Sequence, residues 1–199
     1  LPASPAGPRP VPVHGLLLAA GAGRRMGRPK ALVDDWLVRS LRVLADGGCS
    51  GLTVVLGASA DEARTLLAEA ATGAGLPPYD VVVAPDWAEG MGASLRAGLT
   101  ALPADVDAVL VHLVDLPDVG PEVVRRVVAA ATGPAVLARA SYDDGPGHPV
   151  LIGADHVAGV VAAATGDRGA RTYLAGHAVA LVPCGDLADG RDVDVPGRQ

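Results

Sequence analysis

The chain has 199 residues, a formal net charge of −6, and 50% hydrophobic residues, which predicts one globular domain with a sizeable core rather than a disordered chain. The acidic balance excludes general binding to nucleic acid or to an anionic membrane surface, and no apolar segment approaches the roughly 20 residues of a membrane helix. Cys49 and Cys184 are widely separated and form no C-x-x-C, which fits buried thiols in a reduced, cytoplasmic setting.

Residues 1–12 are rich in Pro and Ala and lack the apolar centre of a signal peptide. They read as a flexible lead-in to a domain spanning 13–199. The apolar run Leu16 to Ala20 reads as a fully buried strand. It ends in a glycine-rich basic loop that holds Gly21, Gly23 and Gly27 among Arg24, Arg25, Arg28 and Lys30. Glycines there permit positive φ and close approach of backbone N–H groups, and with the positive charge they suit a polyphosphate. Lys30 is the only lysine in a chain whose other basic side chains are all Arg. A compact, rotatable ammonium suits a phosphate oxygen in a tight pocket better than a planar fork does. Two familiar phosphate loops do not fit. A P-loop needs Ser or Thr after its Gly-Lys, whereas Pro29 precedes Lys30 and Ala31 follows it. A dinucleotide fingerprint needs an acid at the end of the next strand, and that strand ends Val54-Val55-Leu56-Gly57.

Leu37, Leu41 and Leu44 form a helical stripe over Trp36 to Asp46, stopped by Gly47-Gly48. A second strand covers Leu52 to Leu56. Ser59-x-x-Glu62 reads as a capping box opening a helix to about Ala71. A third strand, Tyr79 to Val83, leads into a loop carrying Gly90 and Gly92 and a helix to about Leu102. Strand–helix alternation with short links predicts a parallel sheet covered on both faces, with ligands beyond the carboxyl ends of its strands. Ala108 to Val114 is nearly all apolar and so central, and it delivers Asp115 to that rim. A carboxylate there suits Mg²⁺, which takes one or two carboxylates together with substrate phosphates. Asp118 is the capping candidate for a helix beginning at Pro121 and Glu122. His112, inside the strand, reads as a buried, hydrogen-bonded core residue. Ala135 to Arg139 is a fifth strand, followed by a hairpin-like excursion to Ile152 in which His148 is expected to be exposed. A helix over Ala154 to Ala164, a tight turn from Gly166 to Arg171 and a strand over Val179 to Val182 complete the pattern. The five histidines show no paired ligand spacing for zinc.

Five segments, in order, resemble the molybdenum cofactor cytidylyltransferases and related NTP transferases. They are Leu18-Ala19-Ala20-Gly21 with Arg25-Met26-Gly27 and Pro29-Lys30, the segment Trp87-x-x-Gly90-x-x-x-Ser94-Leu95, Asp115-x-Pro117, Gly147-His148-Pro149-Val150 with Gly166-Asp167-x-Gly169-Ala170-Arg171, and the closing Asp192-x-Asp194. The resemblance covers nearly the whole chain from Gly15 to Pro196. It implies a three-layer αβα Rossmann-like nucleotidyltransferase fold, its central sheet mostly parallel with one antiparallel strand among the later ones. The implied reaction is NMP transfer from an NTP to a small phosphorylated acceptor, with release of pyrophosphate. Arg25, Lys30 and Asp115 would be catalytic. Leu18, Ala19, Ala20, Gly21, Ala22, Gly23, Gly27, Pro85 and Asp86 would join Arg25 and Lys30 around the nucleotide. Ser94 would touch substrate or cap its helix. Gly147, His148, Pro149 and Asp167 would line the acceptor pocket, Asp167 holding Arg168 or Arg171 or meeting a donor on the acceptor. Asp115 and Asp194 would hold Mg²⁺, with Asp192 the near alternative to Asp194.

Leu18-Ala19-Ala20-Gly21, with Pro85-Asp86-Trp87, resembles members that use CTP, whereas guanylyl-transferring relatives more often have Gly in place of Ala20 and Asp in place of Pro29. The acceptor implied is molybdopterin carrying molybdenum, and the partner implied is a molybdoenzyme or its maturation chaperone. Two departures stand out. Val195 replaces the usual Thr, and the link from Lys30 to the next helix lacks the usual strand-turn segment, leaving that helix start open. Two rival classes remain, an NAD(P)H-dependent oxidoreductase like relatives linked to pigment or nicotine-type substrates, and a non-catalytic nucleotide-binding chaperone or sensor for a cofactor.

Overall fold

The apolar run opening the domain forms strand β1 (Val13–Ala19), every residue of which is buried. The computed structural model describes residues 11–194. Residues 1–10 of the expected lead-in, and the Val195-Pro196 ending, lie outside the described residues. β1 starts three residues earlier than its apolar run suggests because both of its neighbours pair with it there, Val13 opposite Ala108 and His14 opposite Gly51. Its one polar side chain, His14, bonds the Thr53 hydroxyl at 2.9 Å, so its burial leaves that ring nitrogen partnered.

The other strands are β2 (Gly51–Leu56), β3 (Asp80–Val83), β4 (Ala108–Leu113), β5 (Leu137–Tyr142), β6 (Gly145–Gly153) and β7 (Ala180–Pro183). They form one sheet in the order β3-β2-β1-β4-β6-β5-β7. β6 runs antiparallel to both β4 and β5, and every other pairing is parallel. The resemblance implied this arrangement, and the β5–β6 hairpin produces it.

Alternation along β1 divides the core. Leu17 and Ala19 face a cluster built with α1 (Trp36–Asp46), α2 (Ala60–Ala74) and α4 (Pro121–Val128). Leu16, Leu18 and Ala20 face a second cluster with α3 (Met91–Thr100), α5 (Ala154–Ala163) and α6 (Arg171–Ala175). These are the three layers. Each fully buried leucine contributes about 1.5–3 kcal/mol of burial free energy. Gly47, at the end of α1, lets α4 approach; an added Cβ would lie 2.2 Å from Val124 Cγ1.

Three expectations are corrected locally. Ser59 precedes α2 but has φ 54°, and its hydroxyl makes no cap bond. A capping side chain needs an extended backbone at that position, so Asp61 and Glu62 serve the first turn by charge alone. Asp118 does not cap α4, whose N-cap is Gly120 with Pro121 following. His112 is buried as expected, but its Nδ1 has no hydrogen-bond partner among the described residues. Burial, with the nearby His148 and Arg39, lowers its pKa to about 3 and holds it neutral. The short link before α1 is a single 3-10 turn, Lys30–Leu32, followed by Asp34 at φ 44°.

Candidate active site

β1 and β4 end side by side at the carboxyl rim of the sheet, and a cleft of about 430 Å³ opens above them. The glycine-rich loop after β1 forms one wall. It curls on itself through Gly27 N–H donating to Gly23 O at 2.9 Å. Gly23 takes φ +58°, and a Cβ there would fall 1.9 Å from Arg28 O, so only glycine fits. Of the residues expected to meet the nucleotide, Leu18, Ala20, Gly21, Ala22, Gly23, Arg25, Lys30 and Ser94 line this cleft. Ala19 is buried toward the opposite layer, and Gly27 shapes the loop without facing the cavity. Ser94 is 5% exposed and sits inside α3, whose N-cap is Gly90. It therefore faces the cleft and does not cap the helix.

Pro85 and Asp86 are not among the residues lining this cleft. They line a separate depression with Ala93 and Arg96. After β3 the chain makes a 3-10 turn over Trp87–Glu89, and this turn carries Trp87, Ala88, Glu89, Gly90 and Met91 to the cleft instead. Trp87 rests on Gly57, where a Cβ would come within 2.6 Å of the tryptophan side chain. The Trp-x-x-Gly segment was visible in the sequence, but the residues within it that face the cleft were not.

The cleft's charges neutralise one another. Lys30 Nζ donates to Asp115 Oδ2 at 2.5 Å and to Asp194 Oδ1 at 2.7 Å, and Arg25 Nη1 donates to Asp194 Oδ2 at 2.8 Å. Burial alone would lower the Lys30 pKa, but the bonds to Asp115 and Asp194 outweigh it and raise it. The Lys30 hydrogen bond, aided by Arg25, holds Asp194 below the usual carboxylate range. Carboxylate oxygens of Asp115, Asp192 and Asp194 all lie within 4.8 Å of one another. Such a hard-oxygen set fits a divalent cation of the Mg²⁺ or Mn²⁺ kind. Asp192 and Asp194 both belong to it.

The tail that delivers these two aspartates is pinned. Asp118 Oδ2 accepts the N–H groups of Asp189 and Gly190 at 2.7 and 3.0 Å. Val193 N–H then donates to Asp115 O at 3.0 Å. Asp118 is thus a tail clamp, a use that its position before a helix did not suggest.

A second cavity, of about 250 Å³, adjoins the first and shares Met91, Leu113 and Asp167 with it. Gly147 and His148 line it, and Pro149 is buried beneath. The expected exposure of His148 is corrected. Tyr142 OH donates to His148 O at 2.6 Å and Arg139 Nε to Gly147 O at 3.1 Å, drawing the segment inward. Burial, then Arg139 and Arg171, lowers the His148 pKa to about 4. Asp167 pairs with neither Arg168 nor Arg171 and stays exposed on the shared wall. An added Cβ on Gly90 would lie 2.5 Å from its Oδ1, which fixes it beside the Trp87 turn. Arg139 and Arg171 also line this cavity. Arg139 escaped notice in the sequence because arginine is the chain's default cation, and Arg171 was expected there only as a partner for Asp167.

A phosphate-type loop facing a strand-exit carboxylate at the rim of a mostly parallel sheet defines a nucleotide-handling α/β protein. The chain belongs to the MobA-like NTP transferase domain family, whose model matches residues 15–181. It is 38% identical over 196 residues to a nicotine blue oxidoreductase of Paenarthrobacter nicotinovorans, covering 92% of each chain. Among solved structures it is similar to Rv0371c of Mycobacterium tuberculosis H37Rv, with 30% identity, TM-score 0.74 and 94% of each chain covered. A manganese complex of Rv0371c matches with 27% identity and TM-score 0.68, covering 94% of this chain and 91% of that one.

Proposed function

We propose that this chain is a magnesium-dependent cytidylyltransferase. It would move CMP from CTP to a terminal phosphate of a small acceptor of the molybdopterin class. The observation that supports this reading best is the meeting of Lys30, Asp115 and Asp194 within one cleft, beside the loop from Gly21 to Arg25. An acceptor phosphate oxygen forms a bond to the α-phosphorus of the NTP, the bond from that phosphorus to the bridging oxygen breaks, and pyrophosphate leaves with the electron pair. The protein's part is positioning and charge stabilisation. Lys30 exchanges its carboxylates for an α-phosphate oxygen. Arg25 and the loop N–H groups hold the β and γ phosphates. Ser94 and the Trp87–Met91 turn bound the nucleotide on its other side. Asp115, Asp192 and Asp194 would hold the divalent ion, which supplies neutralisation of charge on phosphate oxygens when bound. The manganese complex of a relative supports such a metal.

The test is pyrophosphate release across four NTPs with a molybdopterin extract, beside direct titration with CTP and GTP in the presence of Mg²⁺. Equal or stronger GTP binding would overturn the base assignment. Nucleotide binding with no pyrophosphate release would favour a non-catalytic cofactor chaperone.

The 38% identity to a nicotine blue oxidoreductase supports a second reading, NAD(P)H-dependent reduction. Against it, β2 ends at Leu56-Gly57 with no acid for a ribose. Oxidation of NADPH by the purified protein would favour this second reading.

A further inference from the structure

Arg96 belongs to α3 and lies outside the Lys30 cleft, lining the depression that holds Pro85 and Asp86. Its guanidinium has two anchors. Nη1 donates to Ala164 O at 2.6 Å, and Nη2 donates to Glu89 Oε2 at 3.2 Å. Ala164 is the C-cap of α5, where a helix leaves carbonyl oxygens without intrahelical partners and carries partial negative charge. Glu89 closes the 3-10 turn whose residues line the cleft. One planar fork therefore ties the end of α5 to the Trp87 turn.

The two segments it ties already touch. An added Cβ on Gly92 would fall 2.8 Å from Thr165 N, one on Gly90 2.7 Å from Gly166 C, and one on Gly169 3.3 Å from Met91 Sδ. Glycine lets the two backbones approach this closely. It offers no side chain to interdigitate, the usual means of fixing how packed elements sit against each other. The polar tie from Arg96 supplies that constraint. Both segments reach the cleft, the first through Trp87, Glu89 and Met91 and the second through Asp167.

We propose that Arg96 is a positioning residue for the nucleotide, holding the Trp87–Met91 turn against the Thr165–Gly169 segment so that the two form one wall of the cleft. This rests on reading the cleft as the site of nucleotide transfer. Arg96 does not line the cleft, so removing it takes away no contact with a ligand there. Any lost affinity comes from displacement of the wall. The wall bounds the nucleotide before and during reaction alike, so its displacement raises KM and leaves kcat nearly unchanged.

Two variants of the full chain test this. Arg96→Met keeps the apolar stem and removes both bonds. Arg96→Lys keeps the charge, but its single ammonium does not reproduce the two-armed fork. Trp87 is one of two tryptophans, so a Trp36→Phe background makes the fluorescence its own. Acrylamide quenching of Trp87 is measured first, then titration with CTP and Mg²⁺, then KM and kcat for pyrophosphate release. In Arg96→Met, quenching is expected to rise, and CTP binding to weaken by about fivefold to tenfold, with KM following and kcat held within about twofold. Arg96→Lys is expected to fall short of the parent in both quenching and binding. Parent-like quenching and binding in Arg96→Lys would overturn the proposal, and that variant decides alone if Arg96→Met does not fold. Parent-like values in a folded Arg96→Met, or a fall in kcat with KM unchanged, would overturn it too. A parent that binds no NTP would remove the transfer reading instead. Trp87 quenching then decides the wall by itself, which stands if quenching rises in the variants and falls if it does not.

Discussion

The two cavities share a wall but treat charge in opposite ways. In the large cleft two cations are met by carboxylates, Lys30 by Asp115 and Asp194 and Arg25 by Asp194. In the small one, Arg139 is held by carbonyl oxygens and Arg171 by no acid among the described residues. A balanced site must exchange partners to take a ligand, and its cations and anions can each receive part of a metal–triphosphate complex. The difference comes from where the residues originate. The balanced site uses two strand exits and a clamped tail, all at the parallel rim, whereas the unbalanced one is built on the antiparallel hairpin and α6.

The largest expected effect lies in the balanced cleft. Lys30→Ala and Asp115→Ala should each lower pyrophosphate release by roughly 10²-fold or more, the scale of losing a stabilising group at a reacting phosphate. Circular dichroism should show an unchanged fold. Full activity in either variant would remove that residue from the mechanism. Chelation of divalent ions comes next. It should stop turnover reversibly, with Mg²⁺ or Mn²⁺ restoring it. Turnover that survives chelation would remove the metal from the reaction.

A smaller change is expected from Asp118→Ala, which frees the Asp189 and Gly190 N–H groups and loosens the tail carrying Asp192 and Asp194. The Mg²⁺ concentration giving half-maximal activity should rise by about threefold to tenfold, in line with one or two lost hydrogen bonds. Asp118→Asn keeps an acceptor oxygen and should lie close to the parent. An Asn variant as impaired as the Ala variant would point to charge rather than tail placement.

The smallest effect at neutral pH concerns the histidines. His112 and His148 have folded pKa values lowered to about 3 and about 4, below the usual 6.5. Between those values and 6.5 the unfolded chain binds more protons, so stability is complete above about pH 6.5 and falls as the pH drops. For buried His112 the loss by pH 4 is about 3 kcal/mol. Thermal melting across pH 4–8 should show it, and His112→Leu should flatten the acid side. An unchanged slope would place the acid sensitivity elsewhere.

The order of strands and helices was legible because β1, buried on both faces, reads as an unbroken apolar run, while burial repeats helically along α1. The loop at Gly21–Lys30 and the exit of Asp115 from β4 were legible because composition changes abruptly at each. Side-chain direction was not. Pro85 and Asp86 sit beside the turn that faces the cleft, but the 3-10 turn rotates them onto another surface. Ser59 has the spacing of a capping box but a left-handed backbone. Asp118 resembles a cap because its true partners, Asp189 and Gly190, lie far along the chain. Arg139 and Arg171 meet only through the fold: Arg171 closes the Gly166–Arg171 segment, but nothing near Arg139 in sequence marks it among the many arginines.

The resting pairing of Lys30 with two carboxylates bears on which form of a nucleotide this pocket admits. A bare triphosphate can win the ammonium only by stripping it from Asp115 and Asp194, whose exposed oxygens then confront the phosphates. When the nucleotide arrives already complexed, both exchanges happen together and no like charges are left facing one another. On the transfer reading, the pocket would take the metal salt of the nucleotide in preference to the free nucleotide.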